Sequence, residues 1–460
     1  MHHEMNNCGV PMSKPLAVVI LAAGKGTRMK SALPKMMHAI AGVPMIGHVL
    51  RAVEPLNPER TIVVVGPDVP ALVEYVKSHV TVTQHEQKGT GHAAATARDA
   101  LAGFEGDVLL MFGDTPLFKA DSIRRLVEAR TADGADHAVV MLGMRPADPR
   151  AYGRLIVGPG GLERIVEAKD ATPEELKVDL VWSGVLVADG KHLFRLLDML
   201  DNDNAQGEYY LPYIVQKARE LGLSCAVTEV DEAEAAGVNS RGELALAEAV
   251  MQERLRADAM AGGATLIDPS TVYFSMDTQL GRDVVVEPNV IFGPGVTIGD
   301  NVTIKAFCHI EGATIGSGAI IGPFARLRPR SEVGENTHIG NFVELKNTKT
   351  GNGTRANHFS YLGDTDIGGN RTNIGAGTII CNYDGYDKFR STIGENVMIG
   401  SNSTIVSPVT IGDGSFVAAG SVITQDVEPD SMAFGRAQQV NKPGRGAAFR
   451  AAKLKLKEGS

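Results

Sequence analysis

Through the first half of the chain, short unbroken apolar runs alternate with longer stretches in which apolar residues recur every three or four positions. The runs at Leu16 to Ala22, Thr61 to Val65, Asp107 to Phe112, Ala138 to Leu142 and Val181 to Val187 are too short for helices and continuous enough for strands buried on both faces. They predict an α/β, Rossmann-like domain with a mostly parallel sheet between layers of helix. Ligands of such sheets collect at the carboxyl ends of the strands. Ser240 with Glu243 then reads as a capping box, and Leu244, Ala247, Met251, Leu255 and Ala259 follow at helical spacing until Gly262-Gly263. This predicts a linker helix over 240–262, between a domain of residues 1–239 and a second one of residues 263–460.

Beyond the linker the period becomes six. Val286, Phe292, Ile298, Ile304 and Ile310 are followed, after one five-residue step, by Ile315, Ile321, Leu327, Val333, Ile339 and Leu345. The register returns at Ile393, Ile399, Ile405, Ile411, Val417 and Ile423. An inward apolar residue followed by a turn every six positions describes a parallel β-helix of hexapeptide repeats, in which each coil buries its face on the next. A polar segment from Lys346 to Arg390 interrupts the pattern, and insertions in a solenoid gather on one face, often the binding face. After Asp430 the tail has few apolar residues and ends in Lys453, Lys455 and Lys457, so a flexible basic arm is expected.

Composition changes the picture in three ways. The 52 glycines concentrate in the second half, where the turns of the β-helix require them. A net charge of −9 leaves no broad basic surface for a polyanion, so nucleic acid is not the expected partner, while small phosphates remain open. Met1 to Lys14 has no apolar core and no long apolar stretch follows, so no membrane insertion and a cytoplasmic location are expected. Cys8, Cys225, Cys308 and Cys381 are scattered without metal spacing, which suits free thiols; Cys381 reads as a small buried residue.

Leu21-Ala22-Ala23-Gly24-Lys25-Gly26-Thr27-Arg28-Met29 follows the first strand directly. Its glycines let backbone N–H groups turn toward a phosphate while Lys25 and Arg28 supply charge. Neither the dinucleotide-binding nor the P-loop spacing fits, and composition alone leaves a plain tight turn open. Pro34-Lys35, Gln84, Gly89-Thr90-Gly91-His92, Gly113-Asp114, Asn204 to Tyr210 and Gly237-Val238-Asn239 continue in order. With them the stretch resembles the sugar-1-phosphate nucleotidyltransferases. Over nearly the whole chain the sequence is similar to bifunctional enzymes that pair an N-acetylglucosamine-1-phosphate uridylyltransferase with a glucosamine-1-phosphate N-acetyltransferase.

The resemblance implies that Leu21, Ala22 and Gly24 lie in the UTP-binding stretch, that Gln84 and the backbone of Gly89 and Thr90 read uracil, that Arg28 and Lys35 hold phosphates, and that Asp114 and Asn239 hold Mg²⁺. That chemistry is coherent, because attack of a sugar phosphate on UTP brings two anions together and calls for a metal and cationic clamps rather than a covalent nucleophile. Read alone, Asp114 is a loop cap after a strand. Gly153, Glu167 and Asn204 to Tyr210 match positions that contact the sugar. Four departures sit nearby: Phe112 for a common Tyr, Ala168 for a usual His, Pro212-Tyr213 for a Thr-Asp pair, and Trp182, the only tryptophan, for an Asn on the sugar. An indole cannot accept a hydrogen bond, so either the sugar pocket has shifted or the ring turns away onto the core.

In the second half, Arg328, Lys346, His358, Tyr361, Asn373 and Lys388 lie in the interruption or just before it, with Asn382-Tyr383-Asp384 inside it. N-acetylation of an amino sugar phosphate requires a base, cations for the phosphate and donors near the thioester oxygen, and all three kinds of residue are present. By resemblance His358 is the general base; Arg328, Lys346, Tyr361, Asn373 and Lys388 bind the acceptor; and Ala376, Asn382, Tyr383, Ser401, Ala419 and Arg436 contact acetyl-CoA. Histidine suits the task because its ordinary pKa lies near neutrality. The resemblance also implies a left-handed β-helix and a homotrimer with acetyl sites between subunits, and flat, weakly charged β-helix faces pack readily about a threefold axis. Two other readings stay open: a nucleotidyltransferase for another sugar phosphate with a regulatory or structural β-helix, and a non-catalytic trimeric scaffold.

Overall fold

Nine strands of the N-terminal half pair into one sheet in the order Val80–Thr83, Arg60–Val65, Leu16–Ala22, Asp107–Phe112, Val181–Asp189, Val139–Met144, Cys225–Glu229, Gly161–Val166, Arg154–Gly158. The structure is a computed structural model and describes residues 14–149, 152–204 and 206–458. By its contacts the chain divides into two compact units, Met1–Arg254 and Leu255–Ser460, with the division inside the helix Arg241–Ala261.

The first four strands of that order are parallel, as unbroken apolar runs predict, and Leu16–Ala22 is buried at every position. Val181–Asp189 runs antiparallel to both of its neighbours, and Arg154–Gly158 with Gly161–Val166 forms a hairpin at the edge. The sheet is therefore mixed. The edge strands carry polar residues and are only half-buried, so they lack the apolar signature of the central ones. Residues of alternate parity fall into two apolar clusters, one on each face of the sheet. The capping box forms: Ser240 Oγ and Glu243 Oε2 lie 3.0 Å apart, and the Asn239 N–H donates to the same Glu243 oxygen at 2.8 Å.

The C-terminal unit is a three-sided parallel β-helix, with sheets of ten, eight and eight short strands. Val285 pairs with Thr303 and Thr303 with Ile320, so the five-residue step is absorbed as a coil one residue shorter. Every apolar position of the six-residue pattern points inward and is buried, Val286, Ile304, Ile321 and Ile405 completely. Corner residues such as Asn301, Asn336, Phe324 and Phe342 adopt the left-handed conformation. At one corner Phe307, Phe324, Phe342 and Phe359 stack in a ladder with ring centroids 4.8, 5.1 and 5.0 Å apart, each about half exposed.

Two expectations are corrected. The helix does not stop at Lys346: Thr350, Ala356, Leu362, Ile367, Ile374 and Ile380 carry its interior through the polar segment, and what leaves it is a short hairpin closed by Phe389 N–H to Asn382 O at 2.9 Å. Threonine and alanine inside, with steps of five and seven, concealed the continuity. The tail contains a helix, Arg445–Glu458, exposed throughout, where a flexible arm was expected; alanine, leucine and lysine are strong helix formers. Cys225, Cys308 and Cys381 are free, and burial pushes the first two thiols up to about 11. No helix among the described residues is long and apolar enough to cross a membrane. Cys8 and Ala205 lie outside the described residues.

Candidate functional sites

At the carboxyl ends of the central parallel strands opens a cavity of about 480 Å³, lined by Leu21, Gly24, Lys25, Lys35, Gln84, Gly89, Thr90, Phe112 and Asp114 among others. Ala22 and Pro34 line an adjoining cavity that shares Gly24 and Lys25. The glycine-rich turn folds back on Lys35, because a Cβ on Gly26, whose φ is +61°, would stand 2.6 Å from Lys35 Cβ. Lys35 is thereby buried, and its ammonium lies 2.5 Å from Asp114 Oδ2 and 2.6 Å from Asn239 Oδ1. The two oxygen-bearing loops are tied by Val238 N–H to Asp114 O at 2.9 Å. Arg28 is exposed outside the lining, with its charge acting on Glu243.

Gln84 is buried and directs its amide to Gly89 O at 3.1 Å and His92 Nδ1 at 3.0 Å. Gly89 has to be glycine on two counts: its φ is +107°, and a Cβ would meet the Tyr209 backbone at 2.7 Å. Thr90 Oγ1 accepts from Leu211 N–H at 3.0 Å, so the segment around Tyr209 is latched to the Gly89-Thr90 turn. Gln87 and Glu208 also line the cavity, and nothing in their sequence context had singled out Gln87.

Beside Phe112, Trp182 packs onto the apolar cluster of one sheet face, and its N–H donates to Val185 O at 3.0 Å. Its backbone N–H bonds Gly153 O at 3.0 Å, and a Cβ on Gly153 would stand 3.3 Å from Glu167 Oε1. Burial raises the pKa of Glu167, and the charge of Glu167 in turn reaches Tyr210 and Tyr213.

The β-helix carries a second constellation. Lys346 and Tyr361 stand on successive strands of one sheet, Arg328 directly follows the preceding strand Arg326–Leu327, and Lys388 projects from the short hairpin. Arg328 binds Glu344 at 3.0 Å. Lys346 lies 3.8 Å from Asp364, and its pKa is lowered first by the Lys388 amine beside it, then by burial and by Arg328. Crowded ammonium groups of this kind form a site for an anion. Asp364 also accepts from Asn347 at 2.5 Å and from the buried Asn382, while Arg390 pins the end of the hairpin to Asp366. Tyr383 is exposed on the hairpin.

His358 stands at the corner of two sheets, exposed, with Nδ1 2.7 Å from Oδ1 of Asn341 one coil earlier. An amide oxygen only accepts, so the contact favours the tautomer with its proton on Nδ1, which in the neutral ring leaves the Nε2 lone pair free. Down the same corner run Ala376, whose O accepts from Asn402; Ser401, whose O accepts from Gly420; Ala419; and Arg436, whose Cδ is 4.0 Å from where a Gly420 Cβ would be. Asn373 sits on a different sheet from Lys346 and Tyr361, with its amide on Met398 Sδ at 3.3 Å. Asn341, Glu344 and Asp364 had escaped sequence reading. The coil period offers a signal for Asn341, since it pairs with His358 in the ladder.

An α/β unit with a ligand-sized cavity at its strand ends and a hexapeptide β-helix with clustered cations define a two-part transferase. The MobA-like NTP transferase domain family matches residues 18–176, and the bacterial transferase hexapeptide family matches residues 277–312, 312–347 and 390–425. The chain is 52% identical over 439 residues to the bifunctional protein GlmU of Paramagnetospirillum magneticum, covering 95% of this chain and 97% of that one. It is 55% identical over 435 residues to the Rhodospirillum rubrum protein of the same name, again covering 95% and 97%, and 50% identical over 453 residues to that of Roseobacter denitrificans, covering 96% and 99%. The chain belongs to the bifunctional GlmU family and is a bifunctional transferase.

Proposed function

We propose that this chain makes UDP-N-acetylglucosamine in two steps, within domains at 1–239 and 263–460 joined by a linker at 240–262. The C-terminal domain moves the acetyl group of acetyl-CoA onto the amine of glucosamine 1-phosphate. The N-terminal domain then joins N-acetylglucosamine 1-phosphate to the uridylyl group of UTP, releasing pyrophosphate. The product is a sugar donor for cell-wall synthesis, and the location is cytoplasmic.

The observation that carries the first activity is the convergence of Asp114 and Asn239 on the Lys35 ammonium at a strand-end cavity. Two oxygens gathered about one cation fit Mg²⁺, a hard ion that takes few protein oxygens and completes its shell with phosphate and water. When bound, the ion supplies charge neutralisation across the nucleotide phosphates. Lys35 and Arg28 are the cationic clamps, Gln84 and the Gly89-Thr90 backbone read the base, and Gly153, Glu167 and Trp182 flank the sugar.

For acetyl transfer, His358 takes the amine proton at Nε2, with Asn341 holding the tautomer. Arg328, Lys346 and Lys388 bind the sugar phosphate, with Tyr361 beside them. Acetyl-CoA runs along the corner of Ala376, Ser401, Ala419 and Arg436, flanked by Asn382 and Tyr383. Asn373 lies on a different sheet from Lys346 and Tyr361, and a homotrimer would let a second copy bring it to the same acceptor; the exposed phenylalanine ladder ending beside His358 supports such an assembly.

The test is a pair of variants assayed for pyrophosphate release and for CoA thiol release. Asp114→Ala should lose uridylyl transfer and keep acetyl transfer, and His358→Ala should do the converse. Loss of both activities in either folded variant would sink the two-site assignment.

A further inference from the structure

Trp182 opens an irregular stretch of its strand. It pairs with Gly143, yet Leu186 pairs with Met141, so Ser183, Gly184 and Val185 bulge out of the ladder. Three features brace the bulge. The Trp182 indole N–H donates to Val185 O at 3.0 Å, Ser183 Oγ donates to Leu142 O at 2.7 Å, and Gly184, with φ of +94°, approaches so near to Phe112 that a Cβ would stand 2.8 Å from its ring. Phe112 is thus held by Gly184 and by the Trp182 ring, edge-on with centroids 5.7 Å apart.

On the proposed reading this pair flanks the acceptor. Phe112 lines the nucleotide cavity two residues before Asp114. Trp182 is bonded through its backbone to Gly153, which abuts Glu167. The indole has spent its single donor on Val185 and has no acceptor to offer. A bulge side chain braced this way is also a packing element, and the same ring stands edge-on to Phe112, which lines the cavity.

We infer that Trp182 and Phe112 form an apolar wall of the acceptor site, which ranks sugar 1-phosphates by an apolar substituent such as the acetamido methyl and tolerates a changed hydroxyl configuration along that wall. The inference rests on the uridylyl-transfer reading. Magnitudes separate the alternatives: an apolar pocket discriminates by about 10- to 200-fold, whereas a site built to hydrogen-bond a hydroxyl rejects its mismatch by about 10⁴-fold or more.

The experiment measures kcat/KM with UTP and Mg²⁺ for N-acetylglucosamine 1-phosphate, its 4-epimer N-acetylgalactosamine 1-phosphate, and glucose 1-phosphate, on the intact chain and on Trp182→Asn and Trp182→Phe. The wild type should turn over the 4-epimer within about tenfold of the parent while disfavouring glucose 1-phosphate by about 10- to 200-fold. Trp182→Asn, which restores a donor and an acceptor, should widen the epimer ratio at least about tenfold through acceptor KM with UTP KM unmoved, whereas Trp182→Phe should keep the wild-type ranking. Rejection of the 4-epimer by about 10⁴-fold in an otherwise active wild type overturns the wall alone, whether or not the Asn variant folds. Identical ranking by folded Asn and Phe variants does the same. Pyrophosphate release with none of the three acceptors overturns the wall together with the uridylyl reading beneath it.

Discussion

The ammonium of Lys35 lies 2.5 Å from Oδ2 of Asp114 and 2.6 Å from Oδ1 of Asn239, and it is almost wholly buried. Removing the cation from a partly buried carboxylate leaves its charge less compensated and also removes a phosphate clamp. Lys35→Met should therefore lower kcat/KM of uridylyl transfer on the order of 10²- to 10³-fold and leave acetyl transfer unchanged, as pyrophosphate and CoA assays on one preparation will register.

Asn341 touches the proposed base on the side away from its working nitrogen. Asn341→Leu removes the acceptor that fixes the tautomer, so Nδ1–H and Nε2–H forms should both populate. The expected result is a fall in kcat for acetyl transfer of about tenfold, with KM for acetyl-CoA little altered. An unchanged kcat would mean that the ring is oriented by something else.

The lowered pKa of Lys346 has a pH consequence with a definite sign. The protonated amine binds phosphate, so binding weakens as pH rises through a value below the ordinary lysine range. The largest cause is Lys388. Lys388→Met should raise KM for glucosamine 1-phosphate at neutral pH, because a cation is lost, and should move the alkaline rise of KM to higher pH. A KM profile against pH for the two proteins settles both directions.

Ile321 is fully buried inside the β-helix, between coils that cannot collapse independently. Ile321→Ala should destabilise the C-terminal unit by about 2–5 kcal/mol. The shift should appear in the calorimetric transition of that unit.

The central strands and the interior of the β-helix were legible because burial on both faces, or at every sixth residue, leaves a one-dimensional trace. Gly161–Val166 and Arg154–Gly158 were not, since a half-exposed edge hairpin admits polar residues freely. The interruption was misread for a related reason: Thr350 and Ala356 occupy interior positions where other coils place larger apolar residues, and they break the apolar rhythm. Residues that act through another side chain left the faintest trace. Glu344, Asp364 and Asn341 become visible only when the ladder sets them beside Arg328, Asn382 and His358.

Because Val285 meets Thr303 and Thr303 meets Ile320, each rung inherits its orientation from the one below. The rod behaves as a counter that advances in whole turns. Excising a complete turn shortens it while every later residue keeps its facing, and a loss or gain within a turn is taken up at a corner of that same turn, as in the coil one residue shorter and the coil that carries the hairpin.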